Sequence, residues 1–182
     1  HVRYKRAAFG VAWAVAVPLV QAVVLAVVFS KLIKVPAGDG FGAYVLAGVL
    51  AWSYFSLSIT AASTSIVDGS GLTDKVWFPR ILMPLVPVLA NLPGLAVSTV
   101  ILVGLLPLLG ASIEPRLVLL LPATALLVLF TAALGTVLAG LHVYFRDVKF
   151  LVQAVMLVWF YVTPIAYPKS FLGNVAGLAD FN

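Results

Sequence analysis

The sequence predicts an all-α, polytopic transmembrane helical bundle, of which this chain carries five membrane-spanning helices. Hydrophobic residues make up 63% of the chain and charged residues only 9%, whereas a soluble domain is about half apolar and about a quarter charged. Five long runs contain no Asp, Glu, Lys or Arg, and every charged residue lies in a gap beside or between them. A charged side chain at the centre of a bilayer costs at least about 2.5 kcal/mol, so this partition is typical of membrane spans.

The five runs cover residues 7–30, 41–67, 81–113, 117–145 and 150–168. Because a helix rises about 1.5 Å per residue and the hydrocarbon core is about 30 Å thick, roughly 20 residues suffice for a span, and the last run is only just long enough. The third run is too long for one straight helix. Prolines predict kinks in its first half, and glycine and proline predict its end, with residues 108–113 as a loop. These residues are Pro84, Pro87 and Pro93, followed by Gly104, Pro107 and Gly110.

Residues 1–182 are predicted to form a single transmembrane domain, because no soluble domain, linker or low-complexity tract interrupts the runs. The first residue is His1 rather than Met, so we expect the natural N-terminal segment to be missing. An odd number of spans leaves the C-terminus on the far side of the membrane, and a sixth helix after Asn182 would bring it back.

Basic residues in the short loops place the N-terminus in the cytosol. The cytosolic side would hold Arg3, Lys5, Arg6, Lys75, Arg80, Arg146 and Lys149, and the outer side Lys31, Lys34, Arg116 and Lys169.

Enzyme chemistry finds little support in the sequence. General acid and base catalysis needs carboxylates that converge on one pocket, whereas the acidic residues are scattered through separate loops. There is no cysteine, no phosphate-binding P-loop and no cluster of metal ligands. The net charge of +5 comes from few acids rather than from basic clusters of the kind that bind nucleic acid. We therefore expect no catalytic centre, metal or cofactor, and no nucleic acid partner.

Polar side chains inside the spans follow a pattern. Ser53, Ser56, Thr60 and Ser63 place four hydroxyl groups on one face of the second predicted helix. Their role is either hydrogen bonding and close packing between helices or the hydroxylated wall of a conduit. The same two interpretations apply to Gln21, Asn91 and Gln153. In the fourth span Ala132, Thr136 and Gly140 form a small-xxx-small ladder, which predicts a packing seam.

Aromatic residues cluster toward the ends of the spans. They form either an interfacial belt or, in part, a wall on which the apolar C–H faces of sugar rings stack. The sequence does not decide which rings point inward. The candidate conduit residues are Trp13, Gln21, Trp52, Tyr54, Ser56, Thr60, Asn91, Trp159 and Tyr161.

Three segments resemble the membrane subunits of type-2 ABC exporters of polysaccharides, the group that handles O-antigen, capsule and teichoic acid. The first is Arg3-Tyr4-Lys5-Arg6 with Gly10-Val11-Ala12-Trp13 and Pro18-Leu19. The second is Lys75-Val76-Trp77-Phe78-Pro79-Arg80 with Leu82 and Pro84-Leu85. The third is Tyr144-Phe145-Arg146-Asp147-Val148, with Thr163-Pro164-Ile165-Ala166-Tyr167-Pro168 downstream. The resemblance covers nearly the whole chain, but the family's sixth helix and the amphipathic segment before its first span are absent.

The resemblance implies a six-helix subunit of the cytoplasmic (inner) membrane that pairs with a second copy. It also implies two cytosolic ABC nucleotide-binding ATPase subunits as partners, and export of a lipid-linked polysaccharide across the lipid bilayer. The segment from Asp68 to Arg80 would couple transport to the ATPase, or else would be an ordinary polar loop. Arg146-Asp147 would be a second contact, or a local ion pair. The residues assigned to coupling are Asp74, Lys75, Val76, Trp77, Phe78, Pro79, Arg80, Arg146 and Asp147. Drugs or lipids as cargo, and a membrane scaffold without transport, stay open as alternatives.

Overall fold

The computed structural model describes residues 10–28, 40–69, 79–111 and 114–165. Over these ranges the chain is helical, and none of the described residues forms a strand, as the sequence predicts. The α-helices are α1 Gly10–Val27, α2 Phe41–Asp68, α3 Leu85–Ala90, α4 Leu92–Leu105, α5 Leu120–Tyr144 and α6 Val148–Val162. Short 3-10 turns at Arg80–Leu82, Pro107–Leu109 and Pro115–Leu119 precede or follow them.

Among the described residues, three helical segments are long and apolar enough to cross a membrane, namely Phe41–Asp68, Arg80–Leu105 and Leu117–Tyr144. Two shorter apolar helices are α6 and the Ala16–Leu25 part of α1. All of these segments fall within the charge-free runs or overlap them closely, which confirms the predicted helical membrane bundle.

Prolines set the breaks in the helices. The third span is split at Asn91 into α3 and α4, because Pro93 has no N–H to offer the carbonyl one turn earlier. The span ends at the 3-10 turn and at Gly110, whose φ of 74° is left-handed. Leu108 and Leu109 thus belong to a turn rather than to the predicted loop. The last helix ends at Val162, since Thr163 is extended (φ −77°, ψ 129°) ahead of Pro164.

Helix α2 lies at the centre of the bundle and contacts α1, α3, α4, α5 and α6. Helix α5 runs parallel to it, because Phe130 stacks on Phe55 and Gly135 lies against Ala62 further along both helices. The third span runs antiparallel to α2. Its first part meets Gly69, and the residues after its last turn meet Gly40. We refer to these two ends of the bundle as the Gly69 end and the Gly40 end.

The seam between α2 and α5 is built from small residues. On α5 the buried residues are Thr131, Gly135, Ala139 and His142. A Cβ atom on Gly135 would lie 2.9 Å from the Cβ of Ala62, closer than two carbon atoms can approach, whereas one on Gly140 would meet nothing within 4 Å. The predicted ladder of Ala132, Thr136 and Gly140 is therefore only partly right. Ala132 does pack against the buried cluster that includes Ala62, but the buried row of α5 begins one residue earlier, about 100° around the helix.

Candidate functional site

A groove of about 370 Å³ lies between α1, α2 and α6, and its lining is both polar and aromatic. Five of the predicted conduit residues line it, contributed by three different helices: Gln21, Trp52, Ser56, Thr60 and Tyr161. The remaining lining residues are Gln153, Met156, Leu157 and Phe160. We call this feature the polar groove.

Helical periodicity explains why these residues meet. Trp52, Ser56 and Thr60 follow one another at four-residue spacing, so they lie along one side of α2. Gln153, Leu157 and Phe160 repeat at the spacing of one helical turn on α6. Helix α1 closes the third side with Gln21. Sequence reasoning missed Phe160 and Leu157, although their spacing from Gln153 could have indicated them.

The hydroxyl groups of α2 mostly bond to their own helix. Thr60 Oγ1 donates to the carbonyl of Ser56 at 2.7 Å, Ser53 Oγ to that of Val49 at 2.7 Å, and Ser63 Oγ to that of Thr60 at 2.8 Å. Such bonds satisfy the hydroxyl hydrogen without a neighbouring helix. The predicted hydroxyl face is also divided, because Ser56 and Thr60 line the polar groove while Ser63 is buried.

An aromatic cluster supports one wall of the polar groove. The ring of Trp52 lies 5.6 Å from Phe160 and 6.4 Å from Trp159. Trp159 itself packs edge-on against Phe55 at 5.4 Å and against Phe130 at 6.5 Å. These distances are in the range of favourable ring contacts. The structure therefore places Trp52 at the groove surface and Trp159 in the packed cluster behind it.

Two other predicted conduit residues lie in a separate cavity of about 230 Å³ between α1, α2 and the break in the third span. The Tyr54 hydroxyl donates to the carbonyl of Val88 at 3.1 Å. The Asn91 amide donates to the Ser58 hydroxyl at 3.1 Å. Both bonds join α2 to the third span, as the packing interpretation expects. Trp13 lies on α1, but the position of its side chain is outside the described residues.

The residues assigned to coupling lie at the Gly69 end where they are described. Pro79 and Arg80 open the third span, and Arg146 and Asp147 form the turn between α5 and α6; all of them are exposed. Beside that turn, Lys149 Nζ sits 4.8 Å from the centre of the Phe150 ring. The structure thus places the described parts of the two predicted coupling elements, Pro79-Arg80 and Arg146-Asp147, at one end of the bundle. Asp74, Lys75, Val76, Trp77 and Phe78 lie outside the described residues.

The profile of the family described as ABC-2 type transporter matches residues 1–181. The chain belongs to the ABC-2 type transporter family. The resemblance drawn from the three sequence segments is thereby confirmed. As a member of this family, the chain is a multi-pass membrane protein.

Curated relatives of this ABC-2 transporter chain carry a more specific name. The chain is 30% identical over 168 residues to the O-antigen export system permease protein RfbA of Myxococcus xanthus, covering 92% of the chain and 64% of the relative. It is 29% identical over 174 residues to a protein of the same name from Klebsiella pneumoniae, covering 94% of the chain and 66% of the relative. A second Klebsiella pneumoniae protein of that name is 27% identical over 172 residues. The chain therefore spans about two thirds of the length of these relatives.

Proposed function

We propose that this chain is the membrane-spanning permease part of an ATP-driven exporter that moves a lipid-linked polysaccharide across the cytoplasmic membrane. The polar groove is the observation that carries the proposal. It combines aromatic rings, hydroxyl groups and amides within otherwise apolar helices. The relatives named as O-antigen export permeases support the same cargo class.

The chemistry of the polar groove suits a neutral or weakly charged glycan. Trp52 and Tyr161 offer ring faces to the C–H groups of sugars, and Gln21 and Gln153 offer amide donors and acceptors to sugar hydroxyls. None of the residues that line the groove is charged. Many weak contacts of similar strength let a polymer slide, because no single sugar is held tightly.

One copy of the groove would be half of a conduit. Tyr161 and Leu157 line it and are 66% and 64% exposed in the single chain. A second copy that faces this side would cover these side chains and close the groove into a path through the dimer. The lipid anchor of the glycan would stay in the bilayer while the sugars pass.

In this proposal the Gly69 end faces the cytosol, where Arg80, Arg146 and Lys149 satisfy the positive-inside tendency. An ABC nucleotide-binding ATPase would contact the segment from Asp74 to Arg80 and the turn at Arg146 and Asp147. ATP would bind to that subunit alone. Its closure would push on these segments and open the groove toward the outside.

Two pairs of substitutions test the proposal in the complex with its ATP-binding subunit. We expect Trp52→Ala/Tyr161→Ala to lower export of cell-surface polysaccharide at least tenfold while ATP hydrolysis continues. We expect Trp77→Ala/Phe78→Ala to uncouple ATP hydrolysis from export. Val137→Ala is the control, because Val137 on α5 is 59% exposed and lies outside both the groove and the coupling segments. Normal export in the groove variant would contradict the assigned path, and normal export in the second variant would contradict the coupling assignment.

A lipid or an apolar drug is the second candidate cargo, because a larger groove of about 700 Å³ lies between α4 and α5. Its lining is mostly aliphatic and includes Leu95, Val100, Leu121 and Val128. The hydroxyls of Thr99 and Thr124, which also line it, donate to carbonyls of their own helices at 2.8 Å. Export of a fluorescent lipid that depends on Val100 and Leu121, with polysaccharide export unaffected by Trp52→Ala/Tyr161→Ala, would favour this candidate.

A further inference from the structure

The turn between α5 and α6 combines cations with exposed aromatic rings. Helix α5 ends at Tyr144, since Phe145 is extended (φ −125°, ψ 103°), and α6 begins at Val148. Only residues 145–147 separate the two helices, so both end at nearly the same level. Three rings and two cations lie within and beside this turn, and all of their side chains are exposed. We call them the interfacial patch: Tyr144, Phe145, Arg146, Lys149 and Phe150.

The neighbouring residues fix the depth of the interfacial patch in a bilayer. Neither the run before it, residues 117–145, nor the run after it, residues 150–168, contains a charged residue. Exposed aliphatic side chains continue along both helices, with Leu141 on α5 and Leu151 and Val155 on α6. The hydrocarbon core therefore extends as far as this turn but not beyond it, because charges are costly inside the core. The rings then lie at the level of the lipid headgroups, where aromatic side chains are favoured.

The two cations of the patch are not neutralised by a carboxylate. In the described part of the chain, neither Arg146 nor Lys149 forms an ion pair with an acidic side chain, although Asp147 lies between them in the sequence. Lys149 Nζ instead lies 4.8 Å from the centre of the Phe150 ring, which is within the range of a cation–π contact. The N–H groups of both cations thus stay available to an anion at the membrane surface.

We propose that the interfacial patch binds the phosphate of an anionic phospholipid. Lys149 and Arg146 donate to the phosphate oxygens, and the three rings lie among the glycerol and upper acyl groups of the same lipid. Hydrogen bonds between a cation and a phosphate are among the strong ones, and each Lys or Arg near an anionic membrane surface raises the affinity about fivefold. The site depends only on the membrane location of the chain, and not on the cargo that the transporter moves.

A lipid fits the whole patch better than the ATP-binding subunit does. The contact proposed for that subunit uses Arg146 and Asp147, which form the tip of the turn, whereas Tyr144 and Phe150 lie on the two helix ends. Tyr144 is 81% exposed and Phe150 60%, and rings at this depth contact lipid. A membrane supplies an apolar layer for the rings and anionic oxygens for the cations, while a protein contact at the tip leaves the rings uncovered.

Titration with phosphatidylglycerol tests the site in the full-length protein that contains this chain. The protein is held in detergent, and native mass spectrometry counts the bound lipid. We expect Lys149→Gln to lower the affinity for phosphatidylglycerol about fivefold, and Arg146→Gln/Lys149→Gln to lower it about twentyfold or more. Lys149→Arg keeps the charge and should bind within about twofold of the unchanged protein. Phosphatidylcholine, which has no net charge, should bind equally to all of these variants.

Arg116→Gln is the matched control. It removes the same charge from the 3-10 turn at the other end of α5, where the next residues are Leu117 and Val118 rather than aromatic ones. We expect it to change the affinity for phosphatidylglycerol by no more than about twofold. An equal loss in Arg116→Gln and Lys149→Gln would overturn the proposal, since the lipid would then respond to net charge alone.

Two further outcomes would also overturn the site. One is unchanged phosphatidylglycerol affinity in Arg146→Gln/Lys149→Gln. The other is release of the ATP-binding subunit by Lys149→Gln with lipid affinity unchanged, which would assign the patch to that subunit. If Lys149→Gln does not fold, Lys149→Ala gives the same test, because alanine is the best helix former and Lys149 lies in the first turn of α6. Polysaccharide export is not measured here, so failure of the proposed function would leave these results unaffected.

Discussion

The two sides of α2 are built for different purposes. The side that meets α5 is closed: Ala62 and Ser63 are buried, and glycine brings the backbones together. The side that meets α1 and α6 is open, and it carries Ser56 and Thr60 beside exposed glutamines. Hydroxyl residues occur on both sides, so residue type alone does not distinguish a wall of a conduit from a packing surface. Shape and exposure do.

The largest effect on stability should come from the aromatic cluster behind the groove. Trp159→Ala removes a ring that packs on Phe55 and Phe130, and we expect it to lower the free energy of unfolding by about 3 kcal/mol. Tyr161→Ala, at an exposed ring of the same helix, should change it by no more than about 0.5 kcal/mol. Denaturation with SDS, followed by circular dichroism, measures both. Equal losses would mean that the cluster and the groove surface are not distinct regions.

A smaller effect, on export rather than stability, is expected from the amides of the groove. Gln21→Leu/Gln153→Leu keeps the size of the side chains and removes their hydrogen bonds to sugars. If those bonds stabilise the bound glycan by roughly 1 kcal/mol in total, export should fall about fivefold. Assays of surface polysaccharide at matched protein levels measure this. Unchanged export would mean that the glycan does not pass through the polar groove.

The smallest effect should follow from the amide outside the groove. Asn91→Leu removes the bond to Ser58 that joins α2 to the third span. Hydrogen bonds between membrane helices contribute about 0.6 kcal/mol on average, so we expect a loss of that size in the unfolding free energy and normal export. A large loss of export in this variant would indicate that Asn91 lines the conduit.

Much of the fold could be predicted because its causes are local in the sequence. The spans follow from charge-free runs, since insertion energy depends on each residue, and the breaks at Asn91 and after Val162 follow from Pro93 and Pro164. Five of the nine candidate conduit residues do meet in one groove. Three of them, Trp52, Ser56 and Thr60, do so because they share the helical repeat of α2.

The rest depends on how the helices rotate against one another, which a single sequence leaves open. Gly135 and Gly140 are both small residues on α5, and only their position around the helix axis decides that Gly135 meets Ala62. In the same way, Trp52 and Tyr54 are both aromatic residues on α2, two positions apart. Trp52 lines the polar groove, whereas the Tyr54 hydroxyl donates to the carbonyl of Val88 in the separate cavity.

Labelling of single cysteines during transport tests the polar groove most directly, and the absence of native cysteine gives a clean background. Ser56→Cys and Thr60→Cys should react with a membrane-impermeant maleimide, and cargo in transit should slow that reaction. Ser63→Cys on the same helix, at a residue that is 1% exposed, should stay unlabelled. Rapid labelling at residue 63 with none at residues 56 and 60 would contradict the account.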